Sequence, residues 1–247
     1  MNLKSWRVRL GIGLVAVSLV LYVVHYLIFH DFHHIAIYTV HDIAFLPLEV
    51  LLVTMVLHEL LERRAKREML HKLNMVIGAF FSEVGNQLLG MLATFDASSS
   101  DARQRLLVRA DWTPKQFAAA RAALAETEHP IDASAGDLAA VRDFLITKRD
   151  FLLRLLENPN LLEHESFTDT LWAVFHLAEE LEARPGVTDL PATDLAHLGG
   201  DIKRAYSALA GQWVGHLEHL KASYPYLFSL AVRTNPLDPN APILVSE

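Results

Sequence analysis

The chain opens with two apolar runs and then changes its pattern. From Val8 to Phe29 the sequence VRLGIGLVAVSLVLYVVHYLIF carries Arg9 as its one fully charged residue. Its Leu10 to Phe29 portion has about the 20 residues that a helix needs to cross roughly 30 Å of hydrocarbon. A short polar link, HDFHH from His30 to His34, leads to a second apolar run from Ile35 to about Leu57. Such a link suffices only for a tight hairpin. The pattern predicts a helical hairpin over residues 1–61 with spans at about 9–29 and 38–60. HELLERRAKREMLHK follows without a helix breaker, so the second helix is expected to run on as one long helix.

Between Leu73 and Phe95 the sequence LNMVIGAFFSEVGNQLLGMLATF is apolar at both ends but holds Ser82, Glu83, Asn86 and Gln87 near its middle, with glycines at 78, 85 and 90. Its length would permit a third span. The polar centre and the glycines favour close helix contact over lipid exposure, so residues 62–95 are expected to form juxtamembrane amphipathic helices, lying on a membrane or against a partner subunit. After DASSSD, Asp96 to Asp101, the apolar residues recur with helical period. Thr113 and Pro114 read as an N-cap and first-turn proline for TPKQFAAARAALAETE. Leu138, Val141, Leu145, Leu152 and Leu155 make the face of a helix ended by NPN. Phe167, Leu171, Val174 and Leu181 make another that stops at RPG, and a long helix from about Thr193 carries Leu195, Leu198, Ile202, Leu209, Trp213 and Leu220. Trp172 and Trp213 are read as core residues. These elements predict a cytoplasmic helical domain over 101–230. The aromatic and then proline-rich residues 231–247 are expected as a flexible tail that docks on the bundle before fraying. The fold class is all-α: a transmembrane helical hairpin, a long juxtamembrane helix and a cytoplasmic α-helical bundle.

Composition strengthens the membrane reading, because 247 residues with 52% hydrophobic content and a mean hydropathy of +0.23 are too apolar for an ordinary soluble domain. The first run is too long for a signal-peptide core and no small-x-small cleavage site follows it, so an uncleaved span is expected. Lys4, Arg7 and Arg9 precede the first span, the link has no Lys or Arg, and Arg63, Arg64, Lys66, Arg67 and Lys72 follow the second. The positive-inside rule then places both termini in the cytoplasm and the histidine-rich link outside, as in a multi-pass protein of the cell (inner) membrane. Residues 1–72 hold 8 Lys/Arg against 6 Asp/Glu, a net +2, and residues 73–247 hold 14 against 23, a net −9. An acidic domain repels phosphate backbones, so no nucleic-acid partner is expected. The absence of cysteine excludes a disulfide framework, a thiolate zinc site and a cysteine nucleophile. No nucleotide-binding glycine loop and no G-x-S-x-G elbow is present.

The candidate chemistry lies where ionisable groups look most expensive. At about 100° per residue, His34, Tyr38, His41, Phe45 and Glu49 share one stripe of the second helix, with Asp42 on its edge. Ser18, Tyr22 and His25 share a face of the first. His25, His34, Tyr38, His41, Asp42 and Glu49 thus form a candidate polar intramembrane stripe that can meet across helices or between subunits. In one reading His41 and Asp42 sit in the interfacial zone, Pro47 marks the start of the true span, Ile43 to Leu61, and Glu49 alone lies deep. In the other, the stripe lines a proton, cation or metal site, since intramembrane charges are costly and functional by default. His58-Glu59 lacks the second histidine of H-E-x-x-H, which is Glu62 here, and a protease is discarded. Glu68-x-x-His71 and His216-x-x-His219 have spacings seen in helical metal sites without a full ligand set. No catalytic, cofactor-binding or metal residue is assigned, and no cofactor is expected.

FLPLEVLLVTMVLHELLERRAKREMLHKLNMVIGAFFSEVGNQLL and YPYLFSLAVRTNPLDP, covering Phe45 to Leu89 and Tyr224 to Pro239, resemble a family of uncharacterised prokaryotic integral membrane proteins. The resemblance implies two N-terminal spans and a helical cytoplasmic region, and no activity. The expectation is therefore a non-enzymatic membrane-anchored module that oligomerises or binds another membrane protein. A small oligomeric ion or proton channel lined by Glu49, Asp42 and His41 is the alternative. An enzyme would need histidines such as His71, His176 or His216 to converge with carboxylates in one pocket.

Overall fold

The computed structural model describes residues 3–97, 107–126, 129–159, 161, 164–238, 240–241 and 243–244. They are all-α, with no strand among the described residues beyond an isolated antiparallel bridge between Asp96 and Ile131. The chain divides into two compact units, Met1–Lys66 and Arg67–Glu247.

The first unit contains α1 (Leu3–Phe29) and the greater part of α2 (Phe32–Phe80). The expected five-residue link contracts to His30 and Asp31. His30 takes a left-handed φ of 52° and its amide donates to the Tyr26 carbonyl at 2.8 Å, which closes α1 in the αL manner. Asp31 then caps α2, accepting from the backbone amide of His34 at 3.0 Å. His33 and His34 belong to the first turn of α2 as a result. Pro47 stands inside α2 and marks no helix boundary. Two helical stretches, Val8–Phe29 and Phe32–Phe95, are long and apolar enough by length and composition to cross a membrane, and none of the apolar window of either is buried.

The second unit begins with the last turns of α2 and continues through a π-helical turn (Phe81–Gly85), α3 (Asn86–Leu92) and a 3-10 turn (Ala93–Phe95). It is completed by α4 (Pro114–Glu126), α5 (Leu138–Leu156), α6 (Glu165–Ala183), α7 (Ala192–Ser223) and α8 (Pro225–Arg233). Local capping explains several starts. The Thr113 amide and hydroxyl both donate to Gln116 Oε1 at 2.8 Å, and Asp137 Oδ1 accepts from the Ala140 amide at 2.9 Å. The 32-residue α7 is the centre of the unit and packs against α3, α4, α6 and α8. Its Ile202, Tyr206, Leu209, Trp213 and Leu217 are fully buried.

Leu73 to Phe95 departs from the expected amphipathic layer, because Leu73, Phe80, Phe81, Val84, Leu88, Leu89, Leu92 and Phe95 are all core residues of this unit. The polar middle is satisfied from within: Trp213 Nε1 donates to Asn86 Oδ1 at 3.2 Å and Lys148 Nζ pairs with Glu83 Oε2 at 3.2 Å. Gly78 and Gly90 do serve close approach, toward His216 and the Pro236 carbonyl, but inside one chain. The boundary expected near residue 95 is accordingly replaced by one at Arg67. Residues 98–106, which include most of the expected linker, lie outside the described residues. Of the expected tail, Asn235 and Leu237 are buried, and residues 239, 242 and 245–247 lie outside the described residues. Trp213 is core as expected, whereas Trp172 is 56% exposed.

Candidate functional site

The stripe of ionisable residues in the first unit divides in two. Near the turn, the His25 and His34 rings stand 6.1 Å apart and almost parallel, and His34 meets Tyr38 at 4.6 Å. With Ser18, Leu21, Tyr22 and Ile35 they line an open cleft of about 480 Å³ between α1 and α2. Three of the six candidate residues are brought together there. His41, Asp42 and Glu49 lie farther along α2, exposed, outside the cleft and with no ion-pair or hydrogen-bond partner among the described residues.

In the second unit, the two histidine spacings noted in the sequence converge. His71 of α2 and His216 and His219 of α7 line one cavity of about 220 Å³ together with Asn74, Gly78 and Tyr224. His216 stacks on Phe81 with ring centroids 5.1 Å apart. Burial, and then the neighbouring His219, push the pKa of His216 down to about 4. Burial, and then His71, also lower that of His219. The neutral imidazole is therefore favoured at His216 and His219, and no carboxylate is among the described residues that line the cavity. The convergence of histidines with carboxylates that an enzyme would require is not met at this place.

Histidines and carboxylates do meet between α6 and α7. His176 and Glu180 are one turn apart on α6, and His197 and Asp201 are one turn apart on α7, so each pair shares a helix face. His176 Nε2 lies 3.8 Å from Glu180 Oε1 and 3.5 Å from Asp201 Oδ1. His197 Nε2 lies 3.4 Å from Glu180 Oε2 and 3.4 Å from Asp201 Oδ2. His176, Glu180 and Asp201 offer donor atoms that all fall within 4.8 Å of one another, close enough to hold a metal ion. Two arginines hold the carboxylates. Arg204 Nη1 donates to Asp201 Oδ1 at 2.7 Å. Arg184, at the end of α6, donates to Glu180 Oε2 at 2.9 Å and grips Asp194 with two bonds of 2.8 and 2.7 Å. The hydrogen bond donated by Arg184 is the main cause that lowers the pKa of both Glu180 and Asp194, and its bond to Asp194 is the main cause that raises that of Arg184.

This cluster was missed in the sequence apart from the mention of His176. The signal that could have found it is H-x-x-x-E followed by H-x-x-x-D on two consecutive helices joined by a short connection, since such helices are neighbours that can turn one face each toward the other.

Residues 2–61 match the family described as "MJ1433, N-terminal helical domain", and residues 69–233 match that described as "Uncharacterized protein MJ1433, C-terminal helical domain". Uncharacterized protein MJ1433 of Methanocaldococcus jannaschii is 42% identical over 247 residues, which cover 100% of this chain and 99% of that protein. No solved structure matches the chain. A two-part match and a relative aligned from end to end leave one assignment: the chain belongs to the MJ1433 family of helical proteins.

Proposed function

We propose that the protein is an anchored module of the cell membrane, in which the N-terminal hairpin crosses the bilayer twice and the helical second unit lies in the cytoplasm, associating with further copies of itself or with another membrane protein. The observation that carries this reading is the complete exposure of the apolar windows of α1 and α2. A core helix of a soluble fold buries such a window, and a contiguous apolar surface of this size requires a cover, which lipid supplies. The Lys and Arg residues outside both runs support cytoplasmic termini. Glu49 supports self-association: a carboxylate set between apolar turns, with no partner among the described residues, is costly in hydrocarbon unless another subunit provides one.

The test is the mass of the particle in mild detergent and in lipid nanodiscs, with Glu49→Gln alongside. An oligomer in both media, weakened or lost in the variant, is expected. A strictly monomeric wild-type particle in both media contradicts self-association. The second reading, a proton or cation channel, is favoured by the same exposure of His41, Asp42 and Glu49 on α2. It predicts ion flux into liposomes that Glu49→Gln abolishes.

A further inference from the structure

We infer that His176, Glu180, His197 and Asp201 form a binding site for a divalent first-row transition-metal ion of the zinc class, built across the α6–α7 interface. The imidazole-to-carboxylate contacts are longer than direct hydrogen bonds and leave room for an ion between the side chains. A charge-assisted N–H···O bond closes to about 2.7–2.9 Å, and even a neutral one stays near 3 Å. The four imidazole-to-carboxylate contacts instead measure 3.4, 3.4, 3.5 and 3.8 Å. Zinc bonds to nitrogen and oxygen of about 2.0–2.1 Å in a tetrahedron put neighbouring donors about 3.3–3.4 Å apart, the edge of that solid. Donor atoms of His176, Glu180 and Asp201 lie within 4.8 Å of one another, and His197 Nε2 lies 3.4 Å from the second oxygen of each carboxylate, so rotation of the carboxylates presents them to both imidazoles.

A second, independent observation comes from Asp201. Its side chain is 4% exposed, and while Oδ1 accepts from Arg204, Oδ2 is buried without a hydrogen-bond donor and faces His197 Nε2. A buried carboxylate oxygen left without a donor is unfavourable, and a cation is what such an atom accepts. Around the donors, Arg204 and Arg184 fix the orientation of the two carboxylates, and Asp194 fixes Arg184, which is the outer layer that metal ligands characteristically carry.

The donor set selects the class of ion. Two imidazole nitrogens with two carboxylate oxygens and no thiolate suit zinc, cobalt, nickel or manganese better than calcium or magnesium, which prefer oxygen alone. The imidazoles of His176 and His197 are 45% and 55% exposed, so one side of the site opens to solvent. That opening is a route of entry and leaves room for a water or a small anion as a further ligand, as in zinc sites that keep an open position.

The experiment is titration of the untagged, chelator-stripped full-length protein in detergent micelles with Co²⁺, at a pH where imidazole is neutral, read by visible absorption and by the unfolding temperature. One equivalent is expected to give the intense bands of a low-coordinate cobalt centre, to raise the unfolding temperature and to be displaced by Zn²⁺. His176→Gln combined with His197→Gln is expected to weaken binding about 100-fold or more, and Arg204→Gln about tenfold while leaving the bands in place. Histidines elsewhere, His71, His216 and His219 among them, survive in the double variant and supply the background. Wild-type protein without such bands, or a double variant with unchanged bands and affinity, overturns the inference. Should the double variant not fold, His197→Gln alone decides the matter in the same way, because its imidazole is more than half exposed.

Discussion

His129 Nδ1 lies 3.0 Å from Asp96 Oδ2, with 3% and 1% of the two side chains exposed. The pair clips the end of the 3-10 turn to the loop before α5, beside the Asp96–Ile131 bridge and the bond from the Ala97 amide to the Pro130 carbonyl. Removing one member of a buried hydrogen-bonded pair leaves the other without its partner. Asp96→Ala is therefore expected to destabilise the second unit by about 1–3 kcal/mol. Asp96→Asn, which retains an acceptor, is expected to cost about 1 kcal/mol. Denaturant unfolding of both variants measures the contrast, and equal losses would exclude a stabilising role for the hydrogen bond to His129.

A Cβ built on Gly85 would stand 2.5 Å from Phe81 Cδ1 and 3.0 Å from Phe80 Cε1. Neither ring can retreat: Phe80 meets Phe167 edge-on at 5.4 Å, and Phe81 is stacked on His216. Gly85→Ala is expected to cost about 1–3 kcal/mol. Gly215→Ala, inside α7 with nothing within 4 Å of the new methyl group, is expected to gain up to about 1 kcal/mol from helix propensity. Thermal unfolding of the two variants should move in opposite directions.

His216 makes stability depend on pH. Its pKa falls from 6.5 to about 4 on folding, so between those values the unfolded chain holds a proton that the folded chain refuses. Stability therefore declines as the pH falls through this window, by up to about 3 kcal/mol from this group. His219, shifted in the same direction, adds to the decline. His216→Leu, close in volume and without a titrating group, should lose less stability than the wild type between pH 7 and pH 4.5. Identical pH profiles would show that the titration lies elsewhere.

The topology proposed for the hairpin predicts two opposite readouts. A cytoplasm-dependent reporter fused after Glu247 should be active. A cysteine placed at Phe32, 73% exposed beside the α1–α2 turn, should react with an impermeant thiol reagent applied from outside, against a native chain that has no cysteine of its own. An inactive C-terminal reporter combined with labelling from outside would exclude cytoplasmic placement of the second unit.

Legibility in the sequence follows the range of the interactions. The helices α5, α6 and α7 could be read because their apolar faces repeat with helical period and their ends carry local markers such as Asp137 and Arg184-Pro185-Gly186. Leu73 to Phe95 could not. Its polar residues look misplaced until Asn86 meets Trp213 and Glu83 meets Lys148, partners 127 and 65 positions away. The same applies to the α6–α7 cluster, where each histidine is one turn from its own carboxylate but reaches the second only across the helix interface. Trp172 shows the converse: apolar chemistry suggested burial, and its angular position on α6 turned it to the surface.

Pro47 has no amide hydrogen, so within the unbroken α2 the carbonyl of Ile43 goes without its usual donor. Elsewhere along an ordinary helix, opening the backbone on one side means stretching a hydrogen bond. At this turn there is none to stretch. The helix thus lacks one backbone hydrogen bond between Ile43 and Pro47, a stretch that follows Asp42 directly and ends two residues before Glu49. Flexing there would swing these two carboxylates relative to each other at little elastic cost.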